Sequence, residues 1–269
     1  MTTIWTSLST VGGITTQEAL ERLWEAGVRS VELAIGVKPS ADTVAVLQHY
    51  QSEGMQYRAH HTIVWAEHRP FNLAHNFDVD YFERLIDWMS EMRITAYSVH
   101  AGRAAIDQHR SAVYDRFLQH LSDLNRLCSQ RGIRLAVETM YPDRLNPTQQ
   151  YFLQNSIEVK QLLQDLPMID LVIDLAHLHL WQTETIAQKL QLFELAADRL
   201  LEIHVSDNDG LRDLHTSITE ATWWIPYIAQ FPAEVPIVLE SRMNHQTAVQ
   251  IQHQLDTVST LFHTGIEQP

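Results

Sequence analysis

The stretch "IHVSDNDGLRDLH", residues 203–215, leaves an apolar run and sets His204, Asp207, Asp209, Asp213 and His215 within a dozen positions. Turn formation accounts for Asp207, Asn208, Asp209 and Gly210, because Asx side chains cap nearby backbone and Gly supplies positive φ. It does not account for Asp213-Leu214-His215, two donor side chains two residues apart that can chelate a cation or orient a substrate.

Other ionisable residues recur at the ends of short apolar runs: His60 or His61, His100, Glu138, Asp174, His204 and Glu240. Taken singly, each is more readily a helix cap or a loop ion pair. Taken together, Glu138, Asp174 and Glu240 are three carboxylates that would raise one another's pKa in a partly dry site unless a cation compensates. Three such oxygen donors with the imidazole of His204 suit Mn²⁺, Mg²⁺ or Co²⁺, whereas further histidines move the preference toward Zn²⁺ or Fe²⁺. Of the adjacent histidines, His61 is preferred because it shares parity with Tyr57 and Ala59, and His60 stays open.

Positioning such residues requires strands that all end at one face. Short β-rich runs alternate with segments of helical apolar spacing: "IWTSLS" with "TQEALERLWEAG", "SVELAI" with "SADTVAVLQHYQSEG", "MQYRAHHTIV" with "VDYFERLIDWMSEMR", and "TAYSVHAG" with "SAVYDRFLQHLSDLNRLCSQRG". The same alternation continues in "IRLAVETM" with "SIEVKQLLQDL", "IDLVIDLAH" with "TETIAQKLQLFELAADR", "LLEIHVSD" with "ATWWIPYIAQF", and "VPIVLES" with "QTAVQIQHQLDTVSTLFHTG". Eight such units without a composition break predict one α/β domain over residues 1–269, a closed (β/α)₈ TIM barrel, whose catalytic face lies at the carboxyl ends of the strands. Gly27, Gly54 and Gly132 each stand between a helical pattern and the next strand, where a left-handed cap is expected.

Bulk properties narrow the function. A formal charge of −14 with no Lys/Arg run repels phosphate backbones and argues against a nucleic-acid partner. The single cysteine, Cys128, cannot form an internal disulfide and reads as a small buried hydrophobe in a helix. The beginning "MTTIWTSLSTVGG" lacks a signal-peptide pattern and no window is apolar enough for a membrane span, so a cytoplasmic protein is expected, with homo-oligomerisation left open. The segment after the third strand, carrying Trp65, His68 and Arg69, is long enough to be an active-site lid. Trp223 and Trp224 either stack on a substrate or pack a helix on the barrel, and Arg103 and Arg242 either hold an anionic group or lie on the surface.

These residues resemble the xylose isomerase-like TIM-barrel superfamily, which includes sugar phosphate isomerases/epimerases and the endonuclease IV family. The carriers are "AHHT" with "RPFNLA", "SVHAG", "AVETM", "VIDLAH", "IHVSDNDGLRDLH" and "VLES", spread over almost the whole chain. For an isomerase or epimerase the resemblance implies one divalent metal held by Glu138, Asp174, His204 and Glu240, with His177 on a small sugar-like substrate. Glu138 and Glu240 would then work as paired acid and base, moving a proton beside a carbonyl through an enediolate. For an endonuclease on abasic DNA it implies a zinc cluster that adds a strand-three histidine, His100, His177, Asp213 and His215. Other metal-dependent chemistry in the same barrel, a dehydratase or hydrolase, is a further alternative. The chain departs from many relatives after "DLH", reading "TSITEATWW" with Glu220 alone in place of a Gly-Glu-Gly turn, and "ESRMNHQTA" has no glycine for a phosphate loop.

Overall fold

The computed structural model describes residues 3–107, 110–146 and 148–264. Ten strands run in chain order: β1 Ile4–Ser7, β2 Ser30–Leu33, β3 Gln56–His60, β4 Ala96–His100, β5 Arg103–Ala105, β6 Arg134–Glu138, β7 Gln149–Tyr151, β8 Asp170–Asp174, β9 Leu200–Val205 and β10 Ile237–Leu239. Eight of them form the closed parallel barrel, in the order β1-β10-β9-β8-β6-β4-β3-β2, as the alternating pattern predicts. The helices are α1 Thr16–Glu25, α2 Thr43–Ser52, α3 Val79–Glu91, α4 Arg110–Ser129, α5 Ser156–Asp165, α6 Leu175–His179, α7 Ile186–Ala196 and α8 Ala248–Thr264. Gly265, the end of the last expected helical segment, lies outside the described residues. No helix among the described residues is long and apolar enough to cross a membrane.

Local chemistry explains where the helices begin and end. Thr15 and Glu18 form a reciprocal capping box at the start of α1, and Thr185 and Gln188 do the same for α7, each satisfying amides that have no partner inside the helix. After α1 the chain reverses through Gly27 at φ 82°, a conformation an L side chain resists.

Leu175–His177, expected to end a strand run, instead begin α6, and two larger features also depart from the sequence expectation. The segment "ATWWIPYIAQF" forms a 3-10 helix over Ile225–Gln230 instead of an α-helix. Pro226 confines the helix start to its own first turn, and Pro232 holds Phe231 extended at ψ 143°, so only one short, tight helix fits between them. The second is an antiparallel pair, β5 with β7, which adds a small second sheet.

The chain divides into two compact units, Met1–Arg69 with Glu202–Asp207 and His215–Pro269, and Pro70–Leu201 with Asn208–Leu214. In the first, Glu32 pairs with Arg58 across β2 and β3. Tyr57, of opposite parity, turns to the helix layer and donates its hydroxyl to the Leu47 carbonyl of α2 at 3.0 Å. In the second, Ala136, Val172 and Leu201 pack together with Ala96. Cys128 is buried on α4, and burial pushes its thiol far above the ordinary range, in keeping with a packing role.

Candidate active site and metal centre

In the first unit the ionisable side chains gather on His204. Its β9 position pairs with Val238 of β10, so Glu240, two residues beyond Val238, shares its face. The ring is fully buried, with Nδ1 3.4 Å from Glu240 Oε1 and Nε2 3.3 Å from Glu32 Oε2 and 3.4 Å from Glu202 Oε1. His60 lies against it edge-on, ring centroids 5.0 Å apart, and Glu32, His60 and His204 each bring one donor atom within 4.8 Å of the others. His215 Nδ1 reaches Glu240 Oε2 at 3.7 Å. Burial pushes the Glu32 carboxyl up to about 7 against the pull of His204. Burial works in the same direction on Glu240, but His204, His215 and His60 outweigh it and hold that carboxyl well below its ordinary range.

In the second unit the centre is Glu138, at the end of β6 and paired in register with His100 of β4. Glu138 Oε2 lies 3.2 Å from His100 Nε2, and its Oε1 lies 3.5 Å from His177 Nδ1. Asp174 ends β8 and caps α6, accepting the His177 amide at Oδ1. His177 Nδ1 must carry a proton, because it lies 2.7 Å from the Thr139 carbonyl, which can only accept. Its Nε2 edge faces Asp213 Oδ2 at 3.6 Å. Burial opposes a charge on His177, yet Asp174, Glu138 and Asp213 push it well above its ordinary value. Tyr141 packs on the His177 ring at 4.7 Å and on Tyr151 at 5.6 Å.

The 207–215 loop divides as its turn chemistry suggests. Asp207 accepts from the Thr222 hydroxyl, Asn208 from the Gly210 amide, and Asp209 from the Leu211 and Arg212 amides. Asp213 and His215 instead face His177 and Glu240.

The histidine found edge-on against His204 is His60, where parity favoured His61. The parity argument fails because Tyr57 faces the helices whereas Arg58 and His60 share the side of Glu32, and His61 follows the strand in a left-handed turn at φ 45°. Desolvation, and then His60, hold the His61 ring down to about 3. Trp224 is fully buried against Phe231 and Phe262 and donates to the Ser206 carbonyl, so it is a packing residue. Trp65 is buried as well. Arg103 is held by Asp143 and Tyr151 and lies over the Tyr151 ring, while the Arg242 side chain is exposed.

Glu32, Arg58, Glu202 and Tyr141 escaped the sequence analysis. A signal existed for Glu202, an acid two residues before His204 in an otherwise apolar strand, where period-two alternation puts both on one face.

The model of a family described as "Xylose isomerase-like TIM barrel" matches residues 20–256. A search of curated protein sequences finds no match. Among solved structures, a D-tagatose 3-epimerase-like protein superposes with a TM-score of 0.76 at 15% identity, covering 98% of each chain. A 3-keto-D-glucoside 4-epimerase from E. coli gives 0.69 at 13% identity, covering 97% of this chain and all of the other. A D-allulose 3-epimerase from Methylomonas sp., solved with D-allulose, gives 0.65 at 14% identity, covering 99% of this chain and 93% of the other. At these identities the likeness establishes the barrel fold.

Proposed function

Because the chain belongs to the xylose isomerase-like TIM-barrel family, we propose that it is a divalent-metal-dependent isomerase or epimerase of a sugar or related polyhydroxy carbonyl compound, built as one barrel domain. The observation that carries this reading is the strand order: β10, β9, β8 and β6 are consecutive in a parallel barrel, and Glu240, His204, Asp174 and Glu138 stand at or within one residue of their carboxyl ends. The carboxyl ends of barrel strands are where such enzymes place their chemistry. In this reading the four hold one ion, and each of them is buried, at 7% exposure or less.

The composition of that set fits a metal. Three carboxylates in a dry site carry more negative charge than one imidazole offsets, and three oxygens with one nitrogen suit Mn²⁺, Mg²⁺ or Co²⁺. When bound, such an ion supplies Lewis-acid polarisation of a substrate's carbonyl and hydroxyl oxygens.

The chain's own residues do the proton transfer. One of Glu138 and Glu240 takes the proton from the carbon beside the carbonyl, giving an enediolate of the substrate, and the other returns a proton. Return to the opposite face of the same carbon is epimerisation; return to the neighbouring carbon is isomerisation. His177, its Nδ1 fixed on Thr139, presents Nε2 as a donor to a substrate oxygen. The buried ring of His177 and the half-buried Tyr141 packed on it help exclude water.

The structural relatives named for D-tagatose and D-allulose epimerisation supply the first substrates to try. Mn²⁺-loaded protein in deuterated water should exchange a carbon-bound proton of a ketose and accumulate a second sugar, followed by proton NMR. Loaded protein that neither exchanges nor converts any ketose or aldose of a broad panel overturns the proposal.

A further inference from the structure

Beneath His204 the first unit carries a second set of charged groups that the proton-transfer chemistry does not use. Glu32 of β2, Arg58 of β3 and Glu202 of β9 are all at least 95% buried. Arg58 Nε forms an ion pair with Glu202 Oε2 at 2.6 Å, and its guanidinium also lies over the Trp5 ring of β1, 5.0 Å from the centroid. Glu202 is therefore clamped through one oxygen and offers the other to His204 Nε2, which Glu32 approaches from β2.

Barrel interiors are ordinarily filled by branched apolar side chains. A buried ion pair in their place is weak support for stability, since desolvating the charges offsets most of their attraction. What the arrangement does accomplish is geometric. Two carboxylates converge on Nε2 of His204 against one at Nδ1, which favours Nε2 as the site of the proton in the neutral ring and leaves Nδ1 facing Glu240.

We infer that Glu32 is a positioning residue, which with the Arg58-clamped Glu202 holds the His204 ring by Nε2–H so that Nδ1 serves as the metal-binding nitrogen. This rests on the proposed metal site. Carboxylates that accept the second N–H of a ligating histidine fix its tautomer and raise its basicity, and their removal typically weakens metal binding by about 10- to 100-fold.

The test uses the full chain, stripped of metal and titrated with MnCl₂ by calorimetry, with the tautomer of His204 observed in the metal-free protein by ¹⁵N NMR of labelled histidine. Wild type should show the Nε2–H tautomer. Glu32→Leu should weaken Mn²⁺ binding by about 10- to 100-fold, and Glu32→Gln, whose amide oxygen still accepts, by less. Should Glu32→Leu not fold, the near-isosteric double variant Glu32→Gln/Glu202→Gln must show a loss of about 10-fold or more. Wild-type Mn²⁺ affinity in Glu32→Leu or in the double variant, or an Nδ1–H tautomer in wild type, overturns the inference. His204→Ala separates the two claims: tight Mn²⁺ binding that survives it overturns the metal site itself. Binding lost in His204→Ala but unchanged in Glu32→Leu overturns only the role of Glu32.

Discussion

Asp174 and His177 hold each other at the start of α6, the Asp174 Oδ1 accepting the His177 amide at 2.9 Å while the His177 ring is tied by Nδ1 to the Thr139 carbonyl. Asp174 thus joins two roles, closing the open end of a five-residue helix and contributing a carboxylate to the proposed ion. Thr139 completes the unit by accepting the Asp174 amide at its hydroxyl, 3.0 Å away.

The two roles of Asp174 can be separated. Asp174→Asn keeps a cap oxygen and loses the charge; it should unfold close to wild type in metal-free buffer yet fail to retain a divalent ion. Asp174→Ala should lose the ion and a further ~0.5–2 kcal/mol of stability through the missing cap. Metal content after dialysis and urea unfolding of the metal-free proteins check both.

Glu138→Gln and Glu240→Gln should each stop net conversion of the substrate. They need not stop exchange equally, because one remaining carboxylate can remove and return a proton on a single face. In deuterated water, one metal-loaded variant is expected to wash deuterium into the substrate without forming product. Near-native turnover in both would refute the two-carboxylate mechanism.

The accessory donors decide how many ions bind. If one ion binds, His100→Ala and His215→Ala keep its stoichiometry, since these histidines lie 3.2 Å and 3.7 Å from Glu138 and Glu240 as neighbours of the donor carboxylates. Three zinc peaks in anomalous scattering would instead favour hydrolytic chemistry on a phosphodiester. A chelator should lower the thermal midpoint of metal-loaded protein, as removal of any ligand that binds only the native state does.

Cys128 should resist thiol reagents in the native protein and react stoichiometrically once unfolded. Its folded pKa is raised by burial above the thiol's ordinary value of 9.0, so the folded state keeps the proton longer than the unfolded chain. This contribution to stability is intact below pH 9.0 and declines as pH rises beyond it, by about 1.4 kcal/mol per pH unit. Cys128→Ala should show a shallower loss of urea stability between pH 9 and 10.5 than wild type.

Much of the architecture is local and therefore legible in one dimension. Alternating β-rich and amphipathic segments, capping residues such as Thr15 and Thr185, and Gly27 at a left-handed turn each act over a few residues, so the eight repeating units follow from them. Ionisable residues closing apolar runs marked Glu138, Asp174, His204 and Glu240 for the same reason. The 3-10 segment is legible too, because Pro226 and Pro232 bracket its apolar pattern within one short span. Which face of a strand points inward was not. Strands of a parallel barrel are buried on both sides, so hydrophobic parity cannot tell Tyr57 from Arg58 or His61 from His60. Glu32, Arg58 and Glu202 are far apart in the chain and become one cluster only when β2, β3 and β9 take their register. That register is set by contacts between distant segments, and it decides which nitrogen of His204 faces Glu240.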